Sequence, residues 1–332
     1  MKIAVIGAGA IGSVVAAGLF KAGEDVLLVG RADPVAAIKD KGLTIKRSSG
    51  SENIRVPAAE RLDREFELVI FATKTQDIDA AYLENHEFLD HSLILTTQNG
   101  VQADNILSSH FDPEPMISSI VMFGATYVKP GEVTYNFPGD WIIGKRFTTN
   151  DAKLHEIAEI LKKEFTVIVS NNIMGMKWLK LFVNFNNCIP ALVGKSMQET
   201  FADMDFCRLS VMLLKEALPI VQSAKVKIVS LPQFPVERIT GLAAMPIDQG
   251  AGIINKTLTG LSTEPLYGSI LQSILRGKSS EIDFINGEVT QVAASMRMDS
   301  PLNRKVVRMV HEVEETGKFF PPEVVKKEFN LV

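Results

Sequence analysis

The sequence predicts an α/β unit built on a parallel sheet with helices on both faces, followed by an all-α unit. Three observations carry that reading. Short apolar strands alternate with helical segments through the first half, the pattern of a sheet covered on both faces. A glycine-rich loop joins the first strand to the first helix. From about Ile173 onward the apolar period becomes helical almost throughout. With 332 residues and domains running to about 100–200 residues, two domains are expected, at 1–172 and 173–332.

Taken in order, Ile3-Ala4-Val5-Ile6 is a buried strand by its unbroken apolar character. Ile11, Val14, Val15 and Leu19 then recur at helical spacing, and Gly23 stops that helix. Val26–Val29 is the second strand, after which Asp33-Pro34 reads as an N-cap followed by Pro at the first helical position. Further strands are expected at Leu68–Phe71 and Leu93–Thr96. Pro130-Gly131-Glu132 marks a turn between antiparallel strands, the second near Val133–Asn136. A helix over Lys153–Lys163 and a strand over Phe165–Val169 close the first domain. In the second, Phe206–Ala224 and Leu302–Glu315 are the clearest helices, the latter capped by Ser300-Pro301. The segment Ser230–Gly252, rich in proline and glycine, reads as loops with short helices.

Composition narrows the function classes. The net charge of -4 makes neither nucleic acid nor an anionic membrane an expected partner. No apolar run approaches the roughly 20 residues that span a bilayer, and a cytoplasmic protein is expected. The two cysteines, Cys188 and Cys207, lack metal-type spacing and read as buried free thiols, so no metal is expected.

The loop Gly7-Ala8-Gly9-Ala10-Ile11-Gly12 is a G-x-G-x-x-G sequence placed between a strand and a helix. The first glycine allows the tight turn, the second lets the backbone approach a pyrophosphate, and the third lets helix and strand pack closely. The phosphates would meet free N–H groups at a helix N-terminus. This is a Rossmann-type dinucleotide site. At the end of the second strand, where an NAD site carries Asp or Glu, the sequence reads Val29-Gly30-Arg31. A guanidinium there suits a 2′-phosphate, which favours NADP(H); the alternative is a solvated loop arginine.

In the second half, Lys180, Asn184 and Asn187 fall on one helical face at i, i+4 and i+7, flanked by Trp178, Phe182 and Leu181. A polar stripe of this kind lines a cleft. Hydride reaching a carbonyl carbon creates an alkoxide, and a lysine ammonium can supply a proton or a cation to it. The plainer alternative is a surface lysine with capping asparagines. The segment Ser279–Gly287, by itself, reads as an ordinary helix with solvated carboxylates.

These residues carry a family resemblance. The glycine loop, Ala72-Thr73-Lys74, Gln98-Asn99-Gly100, Trp178-x-Lys180-Leu181-x-x-Asn184 and Glu281-Ile282-Asp283-x-Ile285-Asn286-Gly287 stand in the order seen in ketopantoate reductases. The chain resembles that family over nearly its full length. The resemblance implies reduction of 2-dehydropantoate to pantoate with NADPH, on the route to pantothenate and coenzyme A. It implies Lys180 as the general acid at the keto oxygen and Glu281 as a catalytic-site residue that binds substrate. It places Lys74 near the cofactor phosphates and ribose, Asn99 near the nicotinamide, and Asn184 and Ser269 on the substrate. Lys74 and Asn99 follow strand C-termini, the edge at which open α/β sheets bind ligands.

The pattern departs from the family at Cys188, where Asn is frequent, and at Ile270 and Ser273, where Met and Asp are usual. The expected function is therefore ketopantoate reduction. The alternatives are reduction of another small 2-oxo acid on the same fold, or a dinucleotide-sensing regulator without catalysis. Apolar helices in the second domain are compatible with a homodimer.

Overall fold

A computed structural model describes residues 1–262 and 264–331; Thr263 and Val332, both inside the expected second domain, lie outside the described residues. The chain divides into two compact units, one of residues 1–98 and 102–174, the other of residues 99–101 and 175–332.

The first unit runs β1 (Lys2–Ile6), α1 (Ala10–Lys21), β2 (Asp25–Val29), α2 (Ala32–Lys41), β3 (Leu43–Arg47), β4 (Gly50–Ile54), β5 (Ala58–Ala59), β6 (Leu68–Phe71), α3 (Ile78–Asn85) and β7 (Leu93–Thr96). It continues with α4 (Ala103–Ser108), β8 (Ser118–Val121), β9 (Gly124–Lys129), β10 (Glu132–Phe137), β11 (Asp140–Gly144), α5 (Ala152–Leu161) and β12 (Thr166–Val169). Five strands form a parallel sheet in the order β5-β2-β1-β6-β7. Renumbered within the sheet this is 3-2-1-4-5, the doubly wound order, in which the direction of strand addition reverses beside the first strand.

Both faces of this sheet are buried, which explains the unbroken apolar runs. Ile3 and Val5 pack with Val14, Val15 and Leu19 of α1 on one side. Ala4 and Ile6 pack with Ile78, Ala103 and Leu107 on the other. The sequence reading did not anticipate the two smaller sheets, β4-β3-β10-β9 and β12-β11-β8. The β9–β10 hairpin of the first of these, at Gly131, where φ is +74°, is the expected turn. The strands β3 and β4 carry exposed and half-exposed polar residues and so lack the apolar runs that marked the others.

The second unit is helical: α6 (Ile173–Asn184), α7 (Cys188–Val193), α8 (Met197–Phe201), α9 (Met204–Ser223), α10 (Glu237–Ala244), α11 (Ile247–Thr259), α12 (Ser269–Ile274), α13 (Asn286–Ser295), α14 (Pro301–Thr316) and α15 (Pro322–Glu328). The long α9 buries Phe206, Leu209, Leu213, Leu214 and Leu218 and packs with α10, α11, α13 and α14. The Ser230–Gly252 segment holds α10 and the start of α11, as short helices between loops.

Three local readings are corrected. Helix α2 begins at Ala32 with Arg31 as its N-cap, and Asp33 makes no cap bond; Asp33 and Pro34 sit in the first turn instead, where acids and missing N–H groups are tolerated. Ser300 precedes Pro301 but its hydroxyl caps nothing. The carboxylate of Glu216 does so, accepting from the backbone N–H of Leu302 and Asn303 at 2.9 and 2.8 Å. The helix through Lys180 runs on into a 3₁₀ turn at Phe185–Asn187, a tightening that the spacing did not announce. The segment 279–287 is a 3₁₀ turn, Ile282–Phe284, followed by α13, with Glu281 at the start of the turn.

Candidate active site

In the first unit the glycine loop crosses from β1 to α1 at the reversal point of the sheet. Gly7 has φ of +121°, and a Cβ there would lie 2.6 Å from the backbone of Ala72 and Thr73. Any L side chain would be strained and would force β1 and β6 apart. A Cβ on Gly12 would lie 2.0 Å from Gly7 O, which is why helix and turn pack only with glycine. Gly9 differs: a Cβ there would meet nothing within 4 Å. Gly9 is the N-cap of α1, and no side chain caps that helix. The N–H groups of its first residues, Ala10 and Ile11 among them, have no acceptor within the helix. Open space above a bare helix N-terminus fits an anionic group such as a pyrophosphate.

Two neighbouring loops complete this edge. A Cβ on Gly30 would come 2.5 Å from that of Ala8, so the end of β2 runs against the glycine loop and delivers Arg31 beside it. Arg31 is exposed and reaches Asp77 at 3.3 Å. Lys74 starts the 3₁₀ turn Thr75–Asp77 after β6. Gln98 ties the loops after β6 and β7 together, donating to Phe71 O at 3.0 Å and Thr73 O at 3.1 Å. The Thr73 hydroxyl is buried beside Gly7 without a hydrogen-bond partner among the described residues. An orphaned hydroxyl, an uncapped helix and an exposed arginine at one edge fit a phosphorylated dinucleotide. Sequence reasoning named Gly30 and Gln98 within motifs but gave them no part, and it passed over Asp77; what they do depends on close approaches that no local pattern reveals.

The second unit gathers the other residues. Lys180 lies on α6, half-buried, with no hydrogen bond or ion pair among the described residues. Burial lowers its pKa from 10.5 to about 8, because desolvation disfavours the ammonium. One turn on, Asn184 donates to Asn99 Oδ1 at 3.4 Å. Asn99 begins the short segment that groups with the helices, and Gly100 next to it has φ of +78°. A Cβ on Gly100 would lie 2.5 Å from Phe284 O, so this segment packs on the turn that Glu281 opens. Ile282 and Ile285, both fully buried, anchor that turn. Asn187 lies against Gly268, its Oδ1 2.6 Å from where a Cβ would stand, which brings it next to Ser269 at the start of α12. Sequence reasoning also missed His311, which bonds the turn after Glu281 through Asp283 at 2.9 Å.

The three departures from the family pattern are interior. Ile270 and Cys188 are buried, and burial pushes the Cys188 thiol up to about 12. The Ser273 hydroxyl turns back to Ser269 O at 3.0 Å.

The model for ketopantoate reductase PanE/ApbA matches residues 3–148, and that for its C-terminal domain matches residues 172–314. A 2-dehydropantoate 2-reductase of Pyrococcus abyssi is 32% identical over 308 residues, 91% of this chain and 94% of its own. The chain belongs to the ketopantoate reductase family. Another relative bearing the same name, from Pyrococcus horikoshii, is 30% identical over 96% of this chain and 99% of its own. Among solved structures, a PanE/ApbA family ketopantoate reductase from Ralstonia eutropha superposes with a TM-score of 0.79 at 24% identity, covering 95% of this chain and 99% of that one. A D-mandelate dehydrogenase solved with NADH and anilino(oxo)acetate has the same TM-score at 20% identity and the same coverages. At these identities the two structures speak for the shared fold of ketopantoate reductases: a Rossmann-like first domain and a helical second one. Among the described residues no helix is long and apolar enough to cross a membrane, and no group of His, Cys, Asp or Glu is arranged to hold a metal ion.

Proposed function

We propose that this chain reduces 2-dehydropantoate to pantoate with NADPH, Lys180 acting as general acid, on the route to pantothenate and coenzyme A. The observation that carries the reading is Lys180: a lysine whose ammonium has no partner among the described residues and whose pKa is about 8, one helical turn from an asparagine tied to Asn99. A bound reduced nicotinamide would supply hydride to the keto carbon. The protein's part is to hold the substrate and manage charge at its oxygen. With a pKa near working pH, Lys180 remains mostly protonated at pH 7 yet gives up its proton easily, the compromise a general acid needs. Its ammonium also stabilises the developing alkoxide.

The Asn184–Asn99 bond orients both amides. Asn99 would face the nicotinamide end, while Asn184, Asn187 and Ser269 would hold the oxo acid, and Glu281 would accept from its hydroxyl. Gly7, Gly9, Gly12, Ala10 and Ile11 would cradle the pyrophosphate, with Lys74 beside the phosphates and Arg31 on the 2′-phosphate. Relatives named 2-dehydropantoate 2-reductase at 30–32% identity over nearly the whole chain support the substrate. Lys180→Ala should cut turnover by orders of magnitude while NADPH binding, read by fluorescence titration, stays within a factor of two or so. Unchanged turnover in that variant would remove Lys180 from the chemistry.

A second reading, another small 2-oxo acid, is favoured by one observation. Where the family usually has Asp, this chain has Ser273, with its hydroxyl engaged by its own helix.

A further inference from the structure

The turn that carries Glu281 is held by a histidine wedged between two carboxylates. His311, on α14, places Nε2 2.9 Å from Asp283 Oδ1 and Nδ1 2.9 Å from Glu314 Oε2. The other oxygen of Glu314 accepts the backbone N–H of Ser280 at 2.7 Å. The residues on either side of the 281–282 pair, Ser280 and Asp283, are thus both tied to one imidazole, one directly and one through Glu314. A neutral ring has one N–H and could donate to only one of these carboxylates; the other would face a lone pair. Both contacts are favourable only for the imidazolium.

We infer that His311 is a positioning residue: protonated, it clamps the Ser280–Asp283 segment and fixes Glu281 for the substrate, and on losing its proton it lets that segment loosen. This rests on the reading of Glu281 as a substrate contact. The charged groups around the ring are Asp283 of the turn, Glu314 of α14, and Arg304, Arg308, Glu312 and Glu315, which line a shallow cavity with it. Burial pulls the His311 pKa down, but the bonds and charges of Asp283 and Glu314 outweigh it and leave the pKa above 6.5. The sign follows. The clamp is complete below the ordinary histidine value and is lost as pH rises through the raised one. Lys180 loses its proton around 8 and acts on turnover, whereas the clamp acts on substrate affinity, so KM and kcat separate the two.

The test uses the whole enzyme, with His311→Gln as a permanently neutral ring substitute and Asp283→Asn as a second variant that keeps the imidazole. Imidazole NMR resonances, with His311 assigned by its absence in the Gln variant, give the midpoint. Amide exchange, corrected for intrinsic rates, reads the protection of the Ser280 N–H. In the wild type, Ser280 protection should fall and the oxo-acid KM should rise roughly three- to tenfold across the His311 titration, the worth of about one hydrogen bond, while the NADPH Kd holds. In His311→Gln both should be flat over that range, at the loosened values, with the kcat decline near pH 8 retained. Asp283→Asn should lower the His311 midpoint. Ser280 protection that ignores His311 titration and the Gln substitution overturns the clamp. Protection that follows His311 while KM does not upholds the clamp and removes Glu281 from substrate binding.

Discussion

At the scale of residues, the account turns on how burial prepares a lysine. Desolvation of Lys180 costs folding free energy, since the unfolded chain holds that proton more tightly. Between pH 8 and 10.5 the unfolded state binds more protons than the folded one, so stability gains with pH from this residue. An acid, by contrast, must keep its proton, so kcat should decline as pH rises past about 8. Lys180→Met should therefore raise the melting temperature at pH 7 and abolish turnover together; a variant that loses stability instead would mean the lysine is not desolvated. Arg31 makes a different claim. Among the described residues its guanidinium meets the exposed carboxylate of Asp77, a contact worth little by itself. Arg31→Ala should weaken NADPH by far more than NADH, measured as the ratio of dissociation constants. Equal loss for both would show that the guanidinium does not read the 2′-phosphate.

At the scale of elements, α14 shows how a cap can come from far away in sequence. Glu216 of α9 accepts from two first-turn N–H groups of α14 and from Asn303 Nδ2 at 2.9 Å. Glu216→Ala should cost about 1–3 kcal/mol, the range for an orphaned cap and its buried donors, read by chemical denaturation. A change within about 0.5 kcal/mol would mean water replaces the carboxylate. This element also marks where sequence reading ends. Strands β1, β2, β6 and β7 were legible because both sheet faces are buried and their apolar runs are unbroken. The α14 start was legible from Pro301, yet its cap was not, because Glu216 lies 86 residues before Leu302. Lys180 and Asn184 were legible from their i, i+4 spacing. The 3₁₀ turn that follows was not legible, because nothing in Phe185-Asn186-Asn187 announces the tightening. Glu281 was legible only through family resemblance, since a lone carboxylate before Ile282 has no local signature, and His311 sits 28 residues from the Asp283 it holds.

At the scale of the whole molecule, the chain folds as two compact units. The first presents an uncapped helix N-terminus, a glycine that leaves open space, and an exposed arginine along one sheet edge. The second gathers a desolvated lysine, a pair of linked asparagines and an anchored acidic turn. A dinucleotide-sensing regulator would need the first set and could dispense with a lysine kept half-buried at a cost in stability. The most direct measurement is NADPH oxidation by the purified protein, with 2-dehydropantoate and a matched panel of other small 2-oxo acids. The account predicts turnover with clear preference for 2-dehydropantoate, as kcat/KM. Tight NADPH binding with no turnover of any oxo acid in the panel would contradict it.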